Sequence, residues 1–124
     1  MKNLFNKNLN PTLLKVFLAY SNGYFPMGEN KNNDEIQWVK PKNRGIIPIG
    51  KLHCSKSLKK FIKKNDFNIS FDKNFNDVIF NCANRKTTWI NSTIYELFLD
   101  LHYQGFAHSV EVKKKKFWLV DYMA

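Results

Sequence analysis

The stretch Thr87–Val112, TTWINSTIYELFLDLHYQGFAHSVEV, decides how the chain is read. It holds a helix, the stop of that helix and a strand. Thr93 and Glu96 stand at capping-box spacing, where each side chain satisfies the other's free backbone N–H. Ile94, Leu97, Phe98 and Leu101 fall at i, i+3, i+4 and i+7, one apolar helix face. Gly105 marks the exit, because only glycine takes a left-handed C-terminal residue without steric cost. Phe106, His108, Val110 and Val112 then alternate with Ala107, Ser109 and Glu111, as a half-buried strand does.

Upstream, Asn10-Pro11 reads as an N-cap with proline at the first helical position. Leu13, Leu14, Phe17, Leu18 and Tyr20 are expected to give that helix its buried side, and Gly23 to end it. Tyr24-Phe25-Pro26 reads as a stiff aromatic turn, and Gly28–Glu35 as an exposed polar loop. Ile36–Val39 and Ile46–Ile49 read as two short strands joined by a hairpin loop over Lys40–Gly45. Pro48 puts the second of them at an edge or near its end. Ser55–Lys64 is a two-faced helix: Leu58, Phe61 and Ile62 point one way, and lysines cover the rest. Asn68–Phe71 is a strand. Asp72 is expected to cap the next helix, where Phe75, Val78, Ile79 and Cys82 again step by helical spacing.

The length, 124 residues, is that of a single domain-sized unit, and 44% hydrophobic residues suffice for a core. The formal charge is +10, and nearly all the cations are lysine. That balance favours a polyanionic partner, nucleic acid first and an anionic membrane surface second. A lysine- and asparagine-rich proteome gives the same totals, so the clustering of the lysines carries more information than their number. Cys54 and Cys82 are far apart and lack zinc-ligand spacing, which reads as free thiols in a reducing compartment. No apolar run has the length of a membrane span, and MKNLFNKNLN lacks the apolar segment of a signal peptide. The expectation is a cytoplasmic protein.

Spacing alone reveals no acid/base pair, nucleophile constellation, phosphate-cradling glycine loop or metal motif. The strongest signal is the helix face of Lys56, Lys59, Lys60, Lys63 and Lys64. Five ammonium groups so close repel one another, and phosphates relieve that repulsion with release of counterions. A solvated face is the competing reading. Trp38, Trp89, Tyr20 and the other aromatics read either as pocket walls or as core. His108, within a strand pattern, reads as structural.

Five segments carry a resemblance: LLKVFLAYSNGYFPMGE, IQWVKPKNRGIIPI, KLHCSKSLKKFIKK, TTWI and LDLHYQGFAHSVEV. In order and spacing the chain resembles bacterial leucyl/phenylalanyl-tRNA–protein transferases over most of residues 12–112. The resemblance implies an α+β fold. A small N-terminal α/β domain, residues 1–66, is followed by the first elements of an acetyltransferase-like (GNAT) domain, residues 67–124. It implies transfer of Leu, Phe or Met from aminoacyl-tRNA to proteins with N-terminal Arg or Lys, which marks them for degradation. No metal or small cofactor is implied, because the aminoacyl ester is already activated. A monomer without membrane association is expected.

By the same resemblance, Lys56, Lys59, Lys60, Lys63 and Lys64 grip the tRNA acceptor stem. Tyr20, Met27, Trp38, Trp89 and Phe98 line the aminoacyl pocket. Met27 stands where a tryptophan is usual, and Phe98 where a tyrosine is usual. The catalytic groups are expected in a C-terminal part that the family has beyond this sequence, so a truncated form is implied. A one-base slip in the A-rich codons of Lys113–Lys116 accounts for the ending: on one choice of codons, the restored frame reads the family's Leu-Val-Gly-Gly-Leu-Tyr-Gly. Apolar strands near Val110–Val120 would then lack a covering layer and limit solubility. The alternative function is a non-catalytic basic tRNA- or RNA-binding module. A small interaction protein with solubilising lysines is a weaker third.

Overall fold

A computed structural model describes the backbone of residues 11–114 and 117–123, with side chains over 11–114. Chain order is α1 (Pro11–Ser21), β1 (Phe25–Gly28), β2 (Ile36–Val39), α2 (Lys56–Lys64), β3 (Phe67–Phe71), α3 (Phe75–Ala83), α4 (Ser92–Tyr103), β4 (Ser109–Lys114) and β5 (Phe117–Met123). Strands β1 and β2 form an antiparallel hairpin, and β3-β4-β5 a three-stranded antiparallel sheet.

Helix α1 starts at Pro11, whose missing N–H costs nothing in a first turn; the expected cap Asn10 lies outside the described residues. Leu13 and Val16 are its buried residues, whereas Leu14, Leu18 and Tyr20 are exposed. The inward face is therefore narrower than its apolar content suggests, and Val16 belongs to it. Leu13 and Val16 share one apolar cluster with Phe75, Ile79, Leu97, Leu101 and Ala107. Gly23, at φ 82°, ends the helix as expected.

The partner of β2 is β1, in the register Phe25↔Val39 to Gly28↔Ile36. The expected aromatic turn is thus largely a strand. Residues 46–49 form no strand: Ile46, Ile47 and Ile49 are all exposed, with Pro48 unable to donate to a ladder.

At α4 the expected cap is displaced. Asn91, not Thr93, is the N-cap, and its Oδ1 accepts from the Ile94 N–H at 2.9 Å. Thr93 instead donates its hydroxyl to the Asp34 carbonyl at 2.8 Å. Ile94, Leu97 and Leu101 are buried as predicted. The C-terminal end is a Schellman motif: the Gly105 N–H reaches the His102 carbonyl and the Phe106 N–H the Leu101 carbonyl, both at 2.8 Å. Gly105 takes φ 78°.

In β4 the apolar half of the alternation is not the buried half. Ala107, Ser109 and Glu111 are buried, Val110 and Val112 only half-buried, and His108 exposed. The reason is the Glu111 carboxylate. It accepts from the hydroxyls of Ser70 at 2.6 Å and Ser109 at 2.7 Å, and from the backbone N–H of Lys73 and Asn74 at 3.2 and 3.1 Å. Those N–H groups open α3, whose N-cap Asn74 makes no side-chain bond. A negative charge there meets both free donors and the helix dipole. Burial pushes the Glu111 carboxyl up, but the Ser70 and Ser109 hydroxyls and the two N–H groups outweigh it and hold the carboxyl below its ordinary value.

Asp72, expected to cap α3, turns the chain instead. It sits at φ 55°, a left-handed value that Asp tolerates better than most residues. Its carboxylate accepts from the Ser109 N–H at 2.8 Å and contacts His108 Nδ1 at 2.7 Å. The hydrogen bond with His108 is the main reason its carboxyl lies below the ordinary value.

Candidate functional site

The five expected pocket residues come from five places: Tyr20 from the last turn of α1, Met27 from β1, Trp38 from β2, Trp89 from the segment before α4, and Phe98 from α4. Two of them meet. Tyr20 and Phe98 line a cavity of about 170 Å³ with Val16, Phe17, Leu101, Phe106 and Ala107. Tyr20 is exposed over part of its ring, and the partial desolvation of the rest pushes the phenol above its ordinary value. Trp38 lines a different cavity, of about 510 Å³, between α1, β2 and α4. Met27 and Trp89 line neither.

A backbone clamp nevertheless joins the β1–β2 hairpin to the Trp89 segment. The Gly28 N–H donates to the Trp89 carbonyl at 2.8 Å. Asn91, fully buried, donates Nδ2 to the carbonyls of Asn33 at 2.7 Å and Glu35 at 2.9 Å while its Oδ1 caps α4. Ser92 and Asp34 add a side-chain bond across the same junction. A Cβ on Gly28 would lie 2.8 Å from both the Trp89 oxygen and Asn91 Nδ2. Only glycine allows that approach.

Sequence reasoning missed Asn91 and Gly28. The run Asn91-Ser92-Thr93 offers three capping residues in succession, and only the first both caps the helix and reaches two loop carbonyls. Gly28, at the head of a polar loop, reads as a turn residue although its role is close packing.

The lysines stand as expected on one helix. Ser55 caps α2 by accepting the Leu58 N–H at 3.2 Å, and Lys63 and Lys64 fall in the last turn, where cations suit the dipole. No residue of α2 is buried. Its apolar face of Leu58, Phe61 and Ile62 is half-exposed, with Phe61 resting against Phe67 at a ring separation of 5.8 Å. Among the described residues no carboxylate lies within 4 Å of Lys56, Lys59, Lys60, Lys63 or Lys64. Their charge is therefore available to an outside anion. Cys54 and Cys82 are both half-buried and are not disulfide-bonded to each other. Among the described residues no helix is long and apolar enough to cross a membrane.

Comparison with known proteins agrees with these segments. Residues 46–120 match the family model described as leucyl/phenylalanyl-tRNA protein transferase, and residues 12–42 match the model of that protein's N-terminal domain. A leucyl/phenylalanyl-tRNA–protein transferase of Ruegeria sp. is 46% identical over 103 residues, which cover 83% of this chain and 47% of the relative. The one of Cereibacter sphaeroides is 43% identical over 106 residues, 86% of this chain and 49% of the relative. That of Paracoccus denitrificans is 37% identical over 102 residues, 82% and 48%. The chain spans about half the length of these curated relatives. With the larger model covering residues on both sides of the lysine helix and reaching into β5, the chain belongs to the leucyl/phenylalanyl-tRNA protein transferase family.

Proposed function

We propose that the chain serves aminoacyl transfer, as the part that holds Leu-, Phe- or Met-charged tRNA while the amino acid passes to a protein with N-terminal Arg or Lys. The acceptor's amine nitrogen attacks the aminoacyl ester carbonyl. A C–N bond forms, the C–O ester bond breaks, and the proton lost by the amine ends on the departing tRNA hydroxyl. On this reading the chain's own share is to bind and orient the RNA, in the cytoplasm and as a monomer.

The observation that carries the reading is the unpaired five-lysine face of α2. The cavity of Tyr20 and Phe98, about 170 Å³, is below the roughly 300–1,000 Å³ of whole-ligand sites and suits one apolar side chain. Met27 and Trp89, tied together through Gly28, are read as the neighbouring wall. The order β3–α3–α4–β4–β5 is read as the first part of an acetyltransferase-like domain, preceded by the smaller unit of α1 to α2.

The test is binding of Phe-tRNA as a function of salt, with the Lys60→Glu/Lys63→Glu variant beside the unaltered chain. Affinity is expected to fall steeply with salt, and the variant to flatten the logarithmic slope by roughly 1.4–1.8 for two lost phosphate contacts. Unchanged affinity and slope in the variant would overturn the reading. A non-catalytic RNA-binding module is the second reading, favoured by the failure of the five pocket residues to share one cavity. Transfer of Phe from tRNA to a peptide with N-terminal Arg separates the two.

A further inference from the structure

RNA binding employs the lysines of α2 and leaves the apolar face of that helix without a part. Leu58, Phe61 and Ile62 keep 46%, 54% and 49% of their surface exposed. The segment leading into the helix is more open still: Ile46, Ile47, Ile49 and Leu52 are each at least 70% exposed. Large apolar side chains gathered in one short run are unfavourable in water and mark a surface that meets an apolar phase. Charge is segregated onto the same part of the chain. Residues 36–65 hold eight lysines, one arginine and no Asp or Glu, and so carry nearly all of the formal net charge of +10. Phosphates alone stabilise the ammonium groups and do nothing for the leucines, the phenylalanine and the isoleucines. An anionic bilayer stabilises both kinds of group. Its headgroups meet the charge, its acyl boundary takes the apolar side chains, and the lysine stems reach between the two levels.

We propose that α2, with residues 46–52 before it, is a peripheral docking surface for an anionic lipid bilayer. The helix lies in the plane of the interface, with Leu58, Phe61 and Ile62 below the headgroups and Lys56, Lys59, Lys60, Lys63 and Lys64 among them. Ile46, Ile47 and Ile49 add apolar area to the contact. No spanning helix is required, because interfacial binding scales with the apolar area buried and with attraction to anionic lipid. The positive charge of the surface complements lipid phosphate and opposes close approach of a second copy of the same chain. Membrane contact and tRNA binding draw on the same lysines, and only membrane contact draws on the apolar face.

Co-flotation of the full chain with vesicles of phosphatidylcholine and phosphatidylglycerol in equal parts, beside vesicles of phosphatidylcholine alone, tests the proposal. Binding is expected to the anionic vesicles only, and to weaken as salt is raised. Lys60→Gln/Lys63→Gln is expected to weaken it roughly twentyfold, at about fivefold for each lysine near the surface. Leu58→Ser/Phe61→Ser/Ile62→Ser is expected to weaken it roughly tenfold or more, through the lost apolar area. The same variant is expected to bind Phe-tRNA as the parent does. Ile47→Ser/Ile49→Ser, at two side chains open to water, is expected to weaken vesicle binding severalfold with the urea midpoint unchanged. Equal binding to both kinds of vesicle, or binding to neither, would overturn the proposal. So would anionic binding unchanged in both serine variants, the behaviour of lysines that adsorb by charge alone. A dimer in sedimentation that either serine variant disperses would identify a second copy as the cover, and would overturn it as well.

Discussion

Gly28 and Glu111 show how single atoms fix the molecule. At Gly28 an added methyl meets the Trp89 carbonyl and the Asn91 amide, both already tied by hydrogen bonds. Overpacking of this kind costs about 1–3 kcal/mol. Gly28→Ala is expected to lower the urea midpoint accordingly, with a shifted Trp89 fluorescence; a variant as stable as the parent would show that the clamp yields. At Glu111 the charge itself does the work. Glu111→Gln puts an amide N–H₂ where donors already converge, and a loss of about 2–4 kcal/mol is expected. The folded-state carboxyl lies below its ordinary value, so it contributes stability above the unfolded-state value near 4.5. That contribution is lost as pH falls from there through the lowered folded value. Asp72, lowered mainly by its bond to His108, adds to the same acid limb. Glu111→Gln should flatten the fall of stability below the ordinary carboxylate range, measured by urea unfolding at successive pH values. An unchanged acid limb would mean that the carboxyl is not the group titrating.

At the scale of elements, the helices divide by what they bury. Helix α4 places Ile94 at full burial and Leu97 and Leu101 close to it, whereas α2 buries nothing. Ile94→Ala is therefore expected to cost about 2–5 kcal/mol and Phe61→Ala on α2 only about 1 kcal/mol, read from denaturant midpoints. Equal losses would show that α2 is packed more tightly than its exposure indicates. The same contrast fits a division of labour. One helix carries the fold, and the other presents five lysines whose mutual repulsion falls when phosphates approach. The β1–β2 hairpin is too short to be stable in isolation, and it is held by Asn91 and Trp89 at the start of α4.

At the scale of the whole molecule, one apolar cluster runs from α1 through α3 and α4 to Ala107. The sheet turns the buried row of Ser109 and Glu111 toward α3. It leaves Ile69 and Phe71 exposed on its other face, beside the half-buried Val112 and Val110 in register. A contiguous apolar sheet face promotes self-association. Ile69→Thr with Phe71→Ser is expected to raise the concentration at which light scattering appears, at little cost in unfolding midpoint. A soluble, sharply melting monomer in the unaltered chain would argue that this face needs no cover.

Much of the helical structure was legible in the residues themselves. The 3.6-residue spacing of α3 and α4, the serine and lysines of α2, and the glycine stops at Gly23 and Gly105 are local patterns, and helices close their hydrogen bonds locally. Family membership was legible too, because the segments that carry it are contiguous. What tertiary structure alone decided is everything set by a partner distant in sequence. Ile36–Val39 pairs with Phe25–Gly28 rather than with the exposed isoleucines after it, because strands take their donors from elsewhere in the chain. Period-two alternation names two faces of β4 without saying which is inward, and the free N–H groups of α3 chose the one with Glu111. Nor does spacing tell which aromatics share a cavity: Tyr20 and Phe98 meet, and Trp38 faces another, because helix packing sets distances that no sequence separation encodes.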